Sequence, residues 1–465
     1  MNPLGIDETA PRLSWIVTSD QRADRQTAYR ILVASSEDRL KQGVGDLWDT
    51  GEVATDATLN IAYAGKPLTA GQRAWWSVEV KDKDGKASSW SAPAYWEKGL
   101  DIGDWKGDWI GRNDPPDIAA TVTGGKWIWY PEGTPGKEEP RGDRLFTTTL
   151  HLDDEPKSAQ FGVAVDDSCL VLVNGKQIGG ARGWSGFADL DPTPELHRGD
   201  NQIVITAHNG AGPAGLLLVG AVRLANGQTV SLVTDRNWTA SIGTAEPKPA
   251  MELPENSYGL PAWLHGARPA VLLSKSIDIT KKVVRARVYA SAKGLYRLTI
   301  DGKRVGQDDL TPGWTDYRKR IQYQTYDVTS ALKQGGNALE MALGDGWYCG
   351  HVGLAGRENY GSKPLGLLQL EIEYSDGSKD TIVTDGSWKA GSGPIVDDDL
   401  LMGEDYDARI QPGGWSAPDV QPLGDVPLLG QHSPTVQVLQ ELKPIKITEP
   451  EPGHFVYDLG QNMVG

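Results

Sequence analysis

This sequence predicts an all-β chain of several consecutive β-sandwich domains, and three observations carry that prediction. The first is a passage written twice: Val171-Leu-Val-Asn-Gly-Lys-Gln-Ile-Gly179 answers Leu298-Thr-Ile-Asp-Gly-Lys-Arg-Val-Gly306, and Gly199-Asp-Asn201 answers Gly335-Gly-Asn337. Further on, Asn226-Gly227 leads to Val233-Thr-Asp235 and Trp238 with the spacing that takes Asp376-Gly377 to Val383-Thr-Asp385 and Trp388. A period of more than 100 residues denotes duplicated domains, because solenoid repeats run to only about 20–50 residues. The second observation is local. Apolar residues alternate in Tyr296-Arg-Leu298-Thr-Ile300 and in Val171-Leu-Val173, and Asp301-Gly302 or Asn174-Gly175 then interrupts them; this is hairpin grammar, with one buried face and a tight turn. The third is composition: 465 residues carry 56 Gly, 29 Pro and 17 Trp but only 39% hydrophobic residues, without a long stretch of helical periodicity. Three or four β domains fit that length.

Residues 1–104 are expected to form a small sandwich similar to fibronectin type III, on the alternation in Tyr29-Arg-Ile31-Leu-Val33 and Trp75-Trp76-Ser-Val78-Glu-Val80. A tether follows over 105–125, opening with Trp105-Lys-Gly-Asp-Trp109-Ile-Gly111. The first repeat copy spans 126–245 and the second 270–420, both as jelly-roll, galactose-binding-like sandwiches, with a Pro-rich tether over 246–269 between them. The second copy carries extra residues between Gly346 and Pro364. Residues 421–465 read as a linker and the start of a further, incomplete β domain, from which we expect the natural polypeptide to continue.

The formal charge of −16, from 62 acidic against 46 basic side chains, repels phosphate backbones and anionic membrane surfaces. No basic patch offsets it, which argues against nucleic acid as a partner. The amino end has neither the basic start nor the apolar core of a signal peptide, and no apolar run approaches membrane-spanning length; the expectation is a soluble chain, its compartment open. The two cysteines, Cys169 and Cys349, fall in different repeat copies and are expected as isolated buried thiols.

An ordered set of motifs then becomes decisive. Asn2-Pro-Leu-Gly with Pro11-Arg-Leu-Ser-Trp15, Leu47-Trp-Asp-Thr-Gly51, Gly344-Asp-Gly-Trp347-Tyr348, Gly403-Glu404-Asp-Tyr406-Asp407-Ala-Arg409, Gly414-Trp415 and Tyr457-Asp-Leu-Gly-Gln-Asn462 together resemble the amino-terminal, non-catalytic half of bacterial α-L-rhamnosidases of glycoside hydrolase family 78. The resemblance covers essentially the whole chain. It implies hydrolysis of terminal α-L-rhamnosides with inversion, by two carboxyl groups on an (α/α)6 barrel. Inversion needs about 6.5–9.5 Å between such carboxyls to admit the attacking water. No residue here matches those positions, so no catalytic residue is assigned and this portion alone is expected to be inactive. A free-standing carbohydrate-binding or adhesion protein is the alternative.

Within the chain, Val165-Asp166-Asp167-Ser and His208-Asn209-Gly210 of the first copy offer hard oxygens that suit calcium. The resemblance implies a rhamnose-binding insert that holds sugar hydroxyls through calcium, with an Asp-Asn pair where this chain has Asp166 and Asp167 and an Asn in the place of Asn209. Substrate-binding candidates are therefore Asp166, Asp167, Asn209 and Trp184, whose indole in a Gly-rich loop suits stacking on a sugar. Metal-binding candidates are Asp166, Asp167 and Asn209. Calcium as a structural staple and an ordinary solvated turn remain competing readings, and for Trp184 so does packing, since Trp314 stands in the matching place. The second copy has Ser291-Ala-Lys293-Gly294 where the acids would be. Asp397-Asp-Asp399 and Glu404-Asp405-Tyr406-Asp407 read as a solvated acidic loop, with a place lining the barrel's sugar subsites as the alternative. Trp347, Tyr348, His351 and Arg357, in the long insertion, are expected either to reach the barrel's mouth or to pack as loop. Neither Gly-x-Ser-x-Gly nor His-Glu-x-x-His occurs, which removes two common hydrolase readings.

Overall fold

The computed structural model describes residues 2–113, 124–133, 137–183, 188–254, 269–353 and 357–461. Strands dominate, and the helices are single turns such as Glu37–Lys41 and Gly346–Cys349. The first hundred residues build a four-stranded antiparallel sheet around Ala28–Ala34 and Arg73–Lys81. Its core is Ile31, Val33, Ala74, Val78 and Trp96, all buried.

The duplication holds strand for strand. In the first sandwich Ser168–Val173 lies between Lys176–Arg182 and Gly199–Asn209, and Gly142–Leu152 follows on the far side. In the second, Leu295–Ile300 lies between Lys303–Arg304 and Gly335–Gly344, followed by Val271–Ile279. The hairpins turn at Asn174-Gly175 (φ 50° and 80°) and Asp301-Gly302 (φ 49° and 72°), the left-handed pair that matches strand twist. The Asn201 and Asn337 amides each tie down their own loop, through His197 O and Gly199 O or Lys333 O and Gly335 O at 2.7–3.0 Å. Trp238 and Trp388 are both buried, and each indole donates to the carbonyl five residues earlier, at 2.8 and 2.7 Å. Neighbouring threonines repeat as well: Thr234 Oγ1 donates to Lys126 O at 2.8 Å and Thr384 Oγ1 to Asp108 O at 2.7 Å.

That last bond corrects the expected tether over 105–125. Trp109–Gly111 is a buried strand of the second sandwich, hydrogen-bonded between Leu365–Tyr374 and Asp419–Gln421. Trp105 joins it in an aromatic core with Tyr289 and Tyr323. The first sandwich is therefore an insertion into the second, entering after Gly111 and leaving before Val271. The Pro-rich stretch after 245 also contributes strands, since Met251–Glu252 pairs with Ile128–Trp129 and Lys248–Pro249 with Thr239–Ser241. Residues 114–123 and 255–268 of the two expected tethers lie outside the described residues.

Past residue 420 the chain still serves the second sandwich. Leu428–Gly430 runs parallel to Ile321–Asp327, and Val436–Gln437 pairs with Asp308–Asp309. Lys446–Glu451 and His454–Asp458 then form a hairpin that pairs with no other described strand. The amino-terminal sheet is riveted to the second sandwich by Glu97, fully buried, which accepts from Arg287 Nε at 2.7 Å and lies 2.9 Å from Arg285 and 3.2 Å from Arg73. Such a group is costly to bury unless it is paired as here. Among the described residues no helix is long and apolar enough to cross a membrane. Cys169 and Cys349 are free and buried, and burial pushes the Cys169 thiol up to about 11.

Candidate functional site

At one rim of the first sandwich three loops meet because the strands that carry them are neighbours. Pro156–Asp166 ends beside Gly215, Ser168 pairs with His208, and Asn209 pairs with Gly142. Asp167 is fixed by its backbone, donating to His208 O at 3.0 Å and accepting from Gly183 N at 2.8 Å. Its carboxylate accepts from Gly210 N at 2.6 Å. Asp167 thus holds the residues on both sides of Asn209.

Asn209 is fully buried, and its amide nitrogen donates to Glu139 O at 2.9 Å and Pro140 O at 3.3 Å. Its Oδ1 is buried with no hydrogen-bond partner among the described residues, as are both carboxylate oxygens of Glu139, a side chain only 3% exposed. Burial and the neighbouring Glu132 charge push the Glu139 carboxyl up to about 7, against the pull of Arg144. Gly133 leaves room for that carboxyl: a side chain there would collide with Glu139 Oε2. Arg144 is committed elsewhere, to Glu132 and to the carbonyls of Asp143 and Pro140. Buried polar oxygens cost free energy when unsatisfied, and three beside one another need an explanation such as an unseen ion. A hard cation is suited to them, since carboxylate and amide oxygens are its ordinary ligands. No group of three or more His, Cys, Asp and Glu placed to cage a metal is found among the described residues, so a cation here would have to draw also on amide and carbonyl oxygens.

Of the sequence candidates, the fold brings Asp166, Asp167 and Asn209 to one rim, while Trp184 lies outside the described residues. Glu139 escaped the sequence reading because nothing in Glu138-Glu139-Pro140 distinguishes it from a solvated acid; only its burial does. The register places Lys293, Gly294 and Asp345 of the second sandwich opposite Asp166, Asp167 and Asn209 of the first. Lys293 lies over the Trp109 ring at 4.9 Å, and its amine is pulled down by burial.

The acids at 397–399 are not the solvated run that the sequence suggests. Ile395–Asp399 pairs with Gly403–Tyr406, and the hairpin turns its first strand toward the sandwich. Asp399 is buried, bound by Arg357 Nη1 and His351 Nδ1, both at 2.9 Å, while Arg357 also pairs with Asp345. Burial first, then the Asp345 charge, pushes Asp398 up to about 7. Of the second acidic group, Glu404, Asp405 and Tyr406 are exposed while Asp407 is half-buried. Trp314, 53% exposed, stacks on Trp347 with centroids 6.0 Å apart and planes 6° apart, so the two indoles are at least partly packing partners. Tyr348 packs with Tyr317 and Tyr360.

Comparison with known proteins defines the class. Residues 1–101 match the Rha78A-like, N-terminal immunoglobulin domain, and residues 281–449 the α-L-rhamnosidase N-terminal domain. An α-L-rhamnosidase of Streptomyces avermitilis is 41% identical over 100% of this chain and 48% of its own length. The crystal structure of the Streptomyces avermitilis α-L-rhamnosidase complexed with L-rhamnose superposes with a TM-score of 0.75 at 39% identity, over 99% of this chain and 48% of that one. The α-L-rhamnosidase from Dictyoglumus thermophilum gives 0.61 at 26% identity, over 99% and 37%. The chain spans about half the length, or less, of the relatives it matches. Two of its domains match α-L-rhamnosidase amino-terminal domains, and the chain corresponds to about half the length of the Streptomyces enzyme.

Proposed function

We propose that this chain is the substrate-capturing and scaffolding half of an enzyme that hydrolyses terminal α-L-rhamnosides with inversion, and that its first sandwich binds rhamnose through calcium. The observation that carries the second part is the set of buried, unpartnered oxygens on Glu139 and Asn209, held next to Asp167. Asp166, Asp167, Asn209 and Glu139 would supply the cation's protein ligands. Calcium bound there would neutralise the acids and accept vicinal hydroxyls of a sugar into its remaining coordination positions. Trp184 is the proposed stacking surface for the sugar ring. Hydrolysis itself belongs to the portion that longer relatives have beyond the matched half, and L-rhamnose in the Streptomyces structure supports the choice of sugar.

The test is calorimetric titration of the chain with L-rhamnose in calcium and again in excess chelator. Binding that requires calcium and disappears in Asn209→Ala and Glu139→Gln is expected. Binding unaffected by chelator and by both substitutions would overturn the reading.

A further inference from the structure

The duplication brings the same rim into being a second time, and in the second sandwich it borders a cavity of about 410 Å³. This lies within the size range of small-ligand pockets, about 300–1,000 Å³. The cavity is on the outer face of the sheet, beneath the Ile395–Asp399 hairpin strand, and Gly344 and Asp345 line it. Those two residues stand where His208 and Asn209 stand in the first sandwich. We propose that this cavity is a second, metal-independent subsite that takes the 6-deoxysugar end of a rhamnoside; the sugar class rests on the function proposed above, the site does not.

The walls are of two kinds. Leu295, Leu310 and Leu400 give an aliphatic side, while Arg297, Asp309 and Asp398 give charged or hydrogen-bonding groups. A deoxysugar has the same division: a methyl group to bury and ring hydroxyls to satisfy. Calcium has no part to play here, because the cation is built in. Arg357, with a side chain 6% exposed, holds Asp345 and Asp399, and its Nε is buried without a hydrogen-bond partner. The long insertion that distinguishes the second copy from the first therefore supplies, from within the chain, the positive charge that the first rim would take from a metal. Asp398 Oδ2 lies close against Gly344, where a Cβ would meet it at 2.7 Å, so only glycine leaves that carboxyl in place. Asp398 Oδ1 also accepts from Asp345 N at 3.0 Å, leaving Oδ2 for a ligand hydroxyl.

The experiment uses the full 465-residue chain in excess chelator, so that the first rim is silent, titrated with methyl α-L-rhamnopyranoside and followed by saturation-transfer NMR and calorimetry. Residual binding is expected, weakened about tenfold or more by Ala342→Phe, which fills the cavity, and also weakened by Arg297→Ala, an exposed change that leaves the core alone. L-Mannose, which adds a hydroxyl to the methyl carbon, is expected to bind more weakly by about tenfold or more, within the roughly 10–200-fold range over which apolar pockets discriminate. Unchanged melting of both variants shows that they fold. No binding in chelator, or chelator-insensitive binding that neither variant alters, overturns the proposal. Loss of only the calcium-dependent component, as in Asn209→Ala, bears on the first rim alone, so the two readings fail separately.

Discussion

The two sandwiches share strand order, turn geometry and buried tryptophans, yet they differ in what neutralises the charge at the same rim. In the first, Glu139 and Asn209 present oxygens that no side chain among the described residues satisfies. In the second, Asp345 and Asp399 are closed by Arg357. A duplicated scaffold can thus carry one rim whose buried oxygens no described side chain satisfies and another closed by an arginine, because strands set where the loops meet while single side chains set their charge. The copies differ also in attachment. The second is fused to the amino-terminal domain by Glu97 and by the Trp109–Gly111 strand, whereas the first is an insertion with its own core.

The sharpest way to break this contrast is Glu97→Ala. It removes the fully buried carboxylate that Arg73, Arg285 and Arg287 share, leaving Arg287 with Asp327 and Arg285 with Glu373, and is expected to cost about 3 kcal/mol. Denaturant unfolding should show the loss in the transition of the amino-terminal domain and second sandwich, with that of the first unchanged; an equal shift in both would mean that the sandwiches unfold as one.

Next in size is calcium. At a hundred times its dissociation constant it should stabilise the first sandwich by about 2.7 kcal/mol. Calorimetric melting with and without chelator should move the first transition alone, and in Glu139→Gln that calcium effect should vanish.

The second rim offers a pH effect in its place. The folded Asp398 carboxyl titrates near 7 against an ordinary 3.8, so its contribution is present at acid pH and is lost as pH rises through about 7. Asp345 and Asp397 raise it and Arg357 lowers it. Melting between pH 5 and 8 should show the wild type losing roughly 1–3 kcal/mol relative to Asp398→Asn. Parallel curves would show that Asp398 titrates normally.

The smallest expected effect probes likeness and not difference. Gly175→Ala and Gly302→Ala place a Cβ at φ near +80° and +72° and should each cost about 1–2 kcal/mol. A large disparity between the two, measured by denaturant unfolding, would mean that the matching hairpins do not do matching work.

Much of the architecture was legible. Asn174-Gly175 and Asp301-Gly302 announce their turns because few residues tolerate a left-handed backbone, and the repeated spacing to Trp238 and Trp388 marks equivalent strands. Asp166, Asp167 and Asn209 were also legible as oxygen donors, and the fold does bring them to one rim. Glu139 was not legible, nor was Arg357 as the partner of Asp345 and Asp399, since pairing across 12 and 42 residues of chain has no periodic signature.

What the sequence by itself determined is the strand-rich class, the duplication and the turns, because backbone preferences and the alternation of apolar residues act over a few neighbouring positions. Only the tertiary structure decided that Trp109–Gly111 belongs to a sheet completed more than 250 residues later, that one acid of a solvated-looking pair is buried, and that an arginine closes one of two equivalent rims. Those outcomes depend on which side chains lose water and which charges meet across long stretches of chain, and such meetings are fixed by packing and not by local pattern.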